Sequence, residues 1–166
     1  MVIKAVAGQR FSMVTFGLAQ VAMDIEPLIA ALRCAPAQPG YTHNYPVAVL
    51  VAFLVAAVAP WVCRLLATRC NRQLWRWNLG RFAQPTQLAT KVALGSALAG
   101  TLLHVAIDSI MQADMTPLVP LYAGNPLLHL VSPDALHRAC IAAGIAGAAA
   151  WFLLLIARNR KPTRQR

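Results

Sequence analysis

Residues 46–66 read PVAVLVAFLVAAVAPWVCRLL, with a single charge, Arg64, close to the end. A helix rises about 1.5 Å per residue, so roughly 20 apolar residues cross the hydrocarbon core of a bilayer, about 30 Å thick. The stretch therefore predicts a transmembrane helix. Residues 136–157, LHRACIAAGIAGAAAWFLLLIA, repeat the pattern, and residues 11–32 and 90–111 match it in length but contain acidic residues. Of the 166 residues, 58% are hydrophobic and only 12% charged, against about a quarter charged in ordinary soluble domains. The chain reads as an all-α polytopic membrane protein, a four-transmembrane-helix bundle with two Pro-rich outward loops. A single integral membrane domain covers 1–166, with spans at 11–32, 46–66, 90–111 and 136–157 and a basic tail at 158–166.

The formal net charge of +10 would suggest nucleic acid in a soluble protein, but the basic residues fall in blocks that flank the apolar runs. Lys4 and Arg10 precede the first. Arg64, Arg69, Arg72, Arg76, Arg81 and Lys91 cluster around the second connection, and Arg158, Arg160, Lys161, Arg164 and Arg166 form the tail. The segments 34–45 and 112–135 contain no Lys or Arg. By the positive-inside rule both termini and the loop 67–89 are expected in the cytoplasm of a bacterial inner membrane, and the uncharged segments face out. Trp61, Trp75 and Trp77 fit an interfacial belt on the cytoplasmic side. The basic loop is then a topology determinant touching anionic lipid rather than a nucleic-acid site.

The first run has the basic start of a signal peptide. Asp24 and Glu26 stand where a cleavage region would be small and uncharged, so it is read as a retained helix. Cys63 and Cys70 lie seven apart, and Cys34 and Cys140 near the outer boundary, without a metal-binding spacing. A Cys34–Cys140 disulfide is open to an oxidising periplasm; free thiols are the simpler expectation.

The chain has only five carboxylates, Asp24, Glu26, Asp108, Asp114 and Asp134, and four histidines, His43, His104, His129 and His137. On this topology every one of them falls in the outer half of a span or in an outward loop. By the rise of a helix, Asp24 lies roughly 21 Å beyond Arg10 and His104 roughly 20 Å beyond Lys91; Glu26 and Asp108 come out at roughly 24 and 25 Å. Ionised groups at such depth are costly and normally face a bundle interior or a watery cavity with a function.

In TLLHVAIDSIMQAD, residues 101–114, His104 and Asp108 are i, i+4 and share one helix face, with Thr101 on the same stripe. Gln20 and Asp24 repeat the spacing on the first span. Asp24 and Glu26 would diverge by about 200° on a regular helix, so the sequence predicts a break at Pro27, which removes a ladder bond. The Pro-rich loops CAPAQPGYTHNYP and QADMTPLVPLYAGNPLLHLVSPD would then fold over the acidic groups as a lid. The simpler reading of His104 and Asp108 is an intrahelical hydrogen bond. His129 and His137 are read as interfacial residues, Ser132, Pro133 and Asp134 as the start of the fourth helix, and AAGIAGAAA as close-packing surface.

The order QVAMDIEP, YTH, LLHVAIDSIMQADMTPLVPLY and NPLLHLVS resembles the bacterial inner-membrane family described as membrane-bound metal-dependent hydrolases. It is similar in particular to an uncharacterised branch in which an acidic pair precedes proline and His-x-x-x-Asp precedes a Pro-rich loop. The resemblance covers about residues 15–132. It implies a divalent-metal site at Asp24, Glu26, His43, His104 and Asp108, and it departs from the more usual Thr-His-Ser in having Asn44 after His43.

Two imidazoles with two or three carboxylates suit Zn²⁺, Mn²⁺ or Fe²⁺ better than Ca²⁺ or Mg²⁺. The expected ligands are His43, His104, Asp108 and Asp24, with Glu26 a fifth ligand or the general base. Gln20, Thr101 and Asp114 would support them from behind. A metal site near the outer face suits hydrolysis of a lipid-linked or envelope substrate. The alternatives are a small ion- or proton-coupled transporter component, or a non-catalytic membrane subunit. The spans lack ionisable groups between Arg10 and Asp24 and between Lys91 and His104, which weighs against a relay. Membrane lipid is the expected partner. Further copies of the chain are a second, because four spans make a small bundle for a carrier.

Overall fold

In the computed structural model, Ser12 opens the first helix by accepting a hydrogen bond from the Thr15 backbone amide, and its own amide donates to Ser96 Oγ at 2.8 Å. One residue thus caps a helix and ties it to another far along the chain. The structure describes residues 10–34 and 43–159. Lys4, most of the first Pro-rich loop and the tail basic residues from Arg160 onward lie outside the described residues.

Among the described residues there are four α-helices and no strands: α1 (Met13–Leu32), α2 (Tyr45–Arg76), α3 (Thr90–Met111) and α4 (Pro133–Asn159). Each is long and apolar enough to cross a membrane. The protein is an all-helical membrane protein.

Small residues decide the packing. Ala19 of α1, Ala52, Val55, Ala56 and Ala59 of α2, and Ala93 and Ala97 of α3 form the buried centre. Without a hydrophobic force between helices in lipid, close backbone approach is what brings spans together. Gly100 marks the tightest approach: a Cβ there would sit 2.7 Å from Ala19 Cβ and 3.0 Å from the Phe16 carbonyl oxygen. α4 stands apart from these three helices and is exposed along nearly its whole described length, with Gly147 its buried residue.

α2 differs from the sequence expectation. It runs ten residues past Leu66, because ATRCNRQLWR contains no glycine or proline and the apolar run ends before the helical potential does. It stops at a Schellman motif. Asn78 takes the left-handed conformation (φ 55°), Leu79 N donates to the Leu74 carbonyl at 2.7 Å and Asn78 N to the Trp75 carbonyl. The returning segment of the loop is pinned to α2 by Asn71, whose side-chain amide donates to the Gln84 carbonyl and accepts from the Gln84 amide.

α1 differs as well. The predicted break at Pro27 is absent and the helix is continuous from Met13 to Leu32. Helices in a bilayer tolerate proline when neighbouring groups satisfy the freed carbonyl. The start of α4 agrees with the sequence: Ser132 Oγ accepts from the Ala135 amide, with Pro133 and Asp134 in the first turn.

At the end opposite the basic connection between α2 and α3, the segment after α3 folds back on the helix it leaves. The Asn125 side-chain amide donates to the Ser109 and Gln112 carbonyls at 2.7 and 3.1 Å, and the His129 amide donates to the Ile110 carbonyl. These carbonyls are the ones that a helix C-terminus leaves without intrahelical donors. The Tyr45 amide donates to the Pro117 carbonyl at 3.0 Å, and Met115 and Pro117 are buried. The loop therefore seals the ends of α2 and α3.

Candidate metal centre

Three elements bring donor atoms to one point at this end. α1 supplies Asp24, α3 supplies His104 and Asp108, and the bend before α2 supplies His43. One ligand atom each from Asp24, His43 and His104 lies within 4.8 Å of the other two. Asp108 Oδ2 adds a fourth donor, 3.2 Å from His104 Nε2 and 3.6 Å from His43 Nε2. Asp24 Oδ1 is 3.4 Å from His104 Nε2. The imidazole rings of His43 and His104 are inclined at 54°, with centroids 5.4 Å apart.

His43 is held in place by its neighbour. Asn44 caps α2, its Oδ1 accepting from the Val47 amide at 2.9 Å, and Tyr45 is bonded to the loop at Pro117. Asn and Ser are both good helix N-caps, so Asn44 fulfils a structural requirement that a serine would meet equally.

A chain of hydrogen bonds places a proton on His104 Nδ1. The Gly100 carbonyl can only accept, so the Gln20 amide nitrogen faces it at 3.1 Å. Gln20 Oε1 is thereby turned to accept from His104 Nδ1, at 2.7 Å. With Nδ1 carrying a proton, Nε2 is the nitrogen left facing the two carboxylates. Nε2 is buried and has no hydrogen-bond partner among the described residues. The carboxylate oxygens of Asp108 and Asp24, at 3.2 and 3.4 Å, are within ion-pair range of it.

A ring nitrogen beside two carboxylate oxygens is satisfied by a cation, either a proton on Nε2 or a metal ion bound to it. Bonds of about 2.0–2.2 Å from a tetrahedral ion to N and O donors separate those donors by roughly 3.3–3.5 Å. The spacings of 3.2, 3.4 and 3.6 Å bracket that edge. Metal-bound histidines characteristically donate their other nitrogen to an oxygen acceptor that fixes the ring, which is what Gln20 does for His104. Asp24, His43 and His104 together could hold a metal ion, with Asp108 beside the two histidines.

The sequence-predicted residues divide accordingly. Asp24, His43, His104, Asp108 and Gln20 come together. Glu26 is not one of the grouped donors Asp24, His43 and His104, and on a continuous α1 it stands about 200° around the helix from Asp24. Thr101 is buried and donates to the Leu98 carbonyl of its own helix. Asp114 lies exposed beyond the end of α3. His129 is exposed in the loop, and His137 bonds the Pro133 carbonyl, so both stay clear of the cluster. None of the four cysteines forms a disulfide. Sequence reasoning missed Asn125, which organises the loop beside the site; its place in NPLLHLVS carried no local signal of a partner 16 residues upstream.

Comparison of the chain with models of protein families, with curated proteins and with solved structures finds no match to any of them.

Proposed function

We propose that this protein is a membrane-embedded hydrolase whose divalent cation is held by His43, His104, Asp24 and Asp108. The proposed substrate is lipid-linked or belongs to the cell envelope. The basic end of the bundle lies in the cytoplasm of a bacterial inner membrane and the His/Asp end faces out, as the positive-inside rule favours. The observation that carries the reading is the buried Nε2 of His104, without a hydrogen-bond partner among the described residues and within 3.4 and 3.2 Å of two carboxylate oxygens.

A bound divalent cation supplies Lewis acidity, polarising a carbonyl or phosphoryl oxygen and making water more acidic. The residues of the chain supply the rest. Gln20 fixes the tautomer and orientation of His104, and Asn44 and Tyr45 fix the approach of His43. Asp24 is the most open of the donors, with 61% of its side chain exposed. Its open side is where water and substrate would meet the cation.

A transmembrane relay is less well supported. Between the His/Asp cluster and the basic end, alanines dominate the centre of α1, α2 and α3, with Ala19, Ala52, Ala59, Ala93 and Ala97 fully buried, and the buried polar residues there, Thr15, Ser96 and Thr101, carry hydroxyls rather than acids or bases. Such a layer offers protons no titratable step.

The test is elemental analysis of detergent-purified protein beside an Asp108→Ala variant, with Zn²⁺, Mn²⁺ and Fe²⁺ supplied. Near-stoichiometric metal in the parent and its loss in the variant are expected. A parent that stays metal-free refutes the reading.

A further inference from the structure

The donors of the candidate centre are unequally exposed. His43 and His104 keep 5% and 9% of their side-chain surface and Asp108 20%, whereas Asp24 keeps 61%. The centre is closed on the side of α2 and α3 and open on the side of α1. The surface of α1 around that opening is apolar: Val21, three residues before Asp24, Ile25 next to it and Leu28 four residues on are all exposed. On a helix, residues three and four apart are surface neighbours, so Val21 and Leu28 flank the exposed carboxylate along its own stripe. In a spanning helix an exposed Val, Ile and Leu face acyl chains. The way in to the centre is lateral, from lipid.

Charge narrows what comes in. Asp24 and Asp108 together balance one dication, and Glu26 adds negative charge to the same end. The segments 34–45 and 112–135 that flank the centre contain no Lys or Arg. Arg33 is nine residues from Asp24, roughly 13 Å along the helix, and Arg138 belongs to α4, which stands apart. Sites that take phosphate esters normally meet the anion with arginine or lysine donors; an acyl carbonyl, being neutral, needs none.

We propose that the centre takes a neutral acyl amphiphile, a long-chain ester or amide, whose chain lies along Val21, Ile25 and Leu28 while its carbonyl reaches the donors beside Asp24. This rests on the metal-dependent reading above. In hydrolysis of such a substrate the oxygen of water bonds to the acyl carbon and the acyl C–O or C–N bond breaks. One proton of the water goes to the departing alcohol or amine, leaving a fatty acid as the other product.

The test uses the full chain in lipid nanodiscs loaded with Co²⁺, whose visible absorption reports on the centre without turnover. Three probes are titrated: lauroyl hydroxamic acid, acetohydroxamic acid and dodecylphosphonic acid. Lauroyl hydroxamic acid is expected to shift the spectrum at concentrations about tenfold or more below the other two, because it alone pairs a head that is uncharged when free with buried methylenes. An Ile25→Ser, Leu28→Ser variant is expected to keep its cobalt and lose the advantage of the long chain. Equal or tighter binding of the phosphonate overturns the proposal. So do equal binding of acetohydroxamate, an unchanged chain-length advantage in the variant, and cobalt that responds to none of the probes. Failure to bind cobalt at all is a different result: it removes the metal-dependent reading, and this proposal with it.

Discussion

Gln20 on α1 and His104 on α3 are joined by a 2.7 Å hydrogen bond in which His104 Nδ1 donates to Gln20 Oε1, while the Gln20 amide donates to the Gly100 carbonyl. One side chain therefore reads the position of the facing helix and sets which nitrogen of His104 faces the carboxylates. Removing such an outer partner of a metal-bound histidine typically costs 10–100-fold in affinity. Gln20→Ala is expected to weaken Zn²⁺ binding by about that factor while leaving helicity unchanged by circular dichroism. Competition against a chromophoric chelator measures it, and parental affinity in the variant would remove Gln20 from the site.

The pairing of these residues was only half legible in the sequence. Gln20 and Asp24, and His104 and Asp108, each declare a shared helix face by their i, i+4 spacing, because the helical period is a local property. That α1 and α3 meet with those two faces together depends on Gly100 and Ala19, whose small size permits the approach without announcing a partner. Pro27 misled because a proline that breaks helices in water is tolerated in a span. The end of α2 was misplaced because hydropathy reports where lipid ends, and the Schellman turn at Asn78 reports where the helix ends.

Asp108 distinguishes a metal site from a protein-only ion pair. Suppose His104 is an imidazolium bridging Asp24 and Asp108, which lie 3.4 and 3.2 Å from its Nε2. Asp108→Asn then removes a favourable contact and lowers the melting temperature in chelator. If Nε2 instead offers a lone pair to two carboxylates, the same change relieves repulsion in the metal-free protein. The expected outcome is an Asp108→Asn variant that melts higher than the parent in EDTA and gains less from added Zn²⁺. A parent with metal at 100 times its Kd should gain about 2.7 kcal/mol. A lower melting temperature for the variant in EDTA favours the ion pair.

Gly100 couples packing to the site. An added methyl would meet Ala19 Cβ at 2.7 Å and the Phe16 carbonyl oxygen at 3.0 Å, so backbone has to move. Overpacking of this kind costs about 1–3 kcal/mol, and the shift would draw Gln20 away from the Gly100 carbonyl. Gly100→Ala is expected to lower both thermal stability and metal affinity. Adding Ala19→Gly, which vacates the space, is expected to restore a good part of both. Stability lost without any loss of metal would separate the helix contact from the centre.

The orientation of the chain can be read from its own cysteines. Cys34 is exposed just beyond the end of α1 at the His/Asp end, and Cys70 is exposed on the basic extension of α2. No disulfide constrains either, so variants keeping one thiol at a time retain every covalent link of the parent. The six basic residues between Arg64 and Lys91 place Cys70 in the cytoplasm by the positive-inside rule. A membrane-impermeant maleimide added to intact spheroplasts is expected to label the Cys34-only protein, and to label the Cys70-only protein only after lysis. The reverse pattern would put the His/Asp cluster inside the cell, and with it the substrate. The candidate centre would keep its geometry, but an envelope substrate would no longer have access to it.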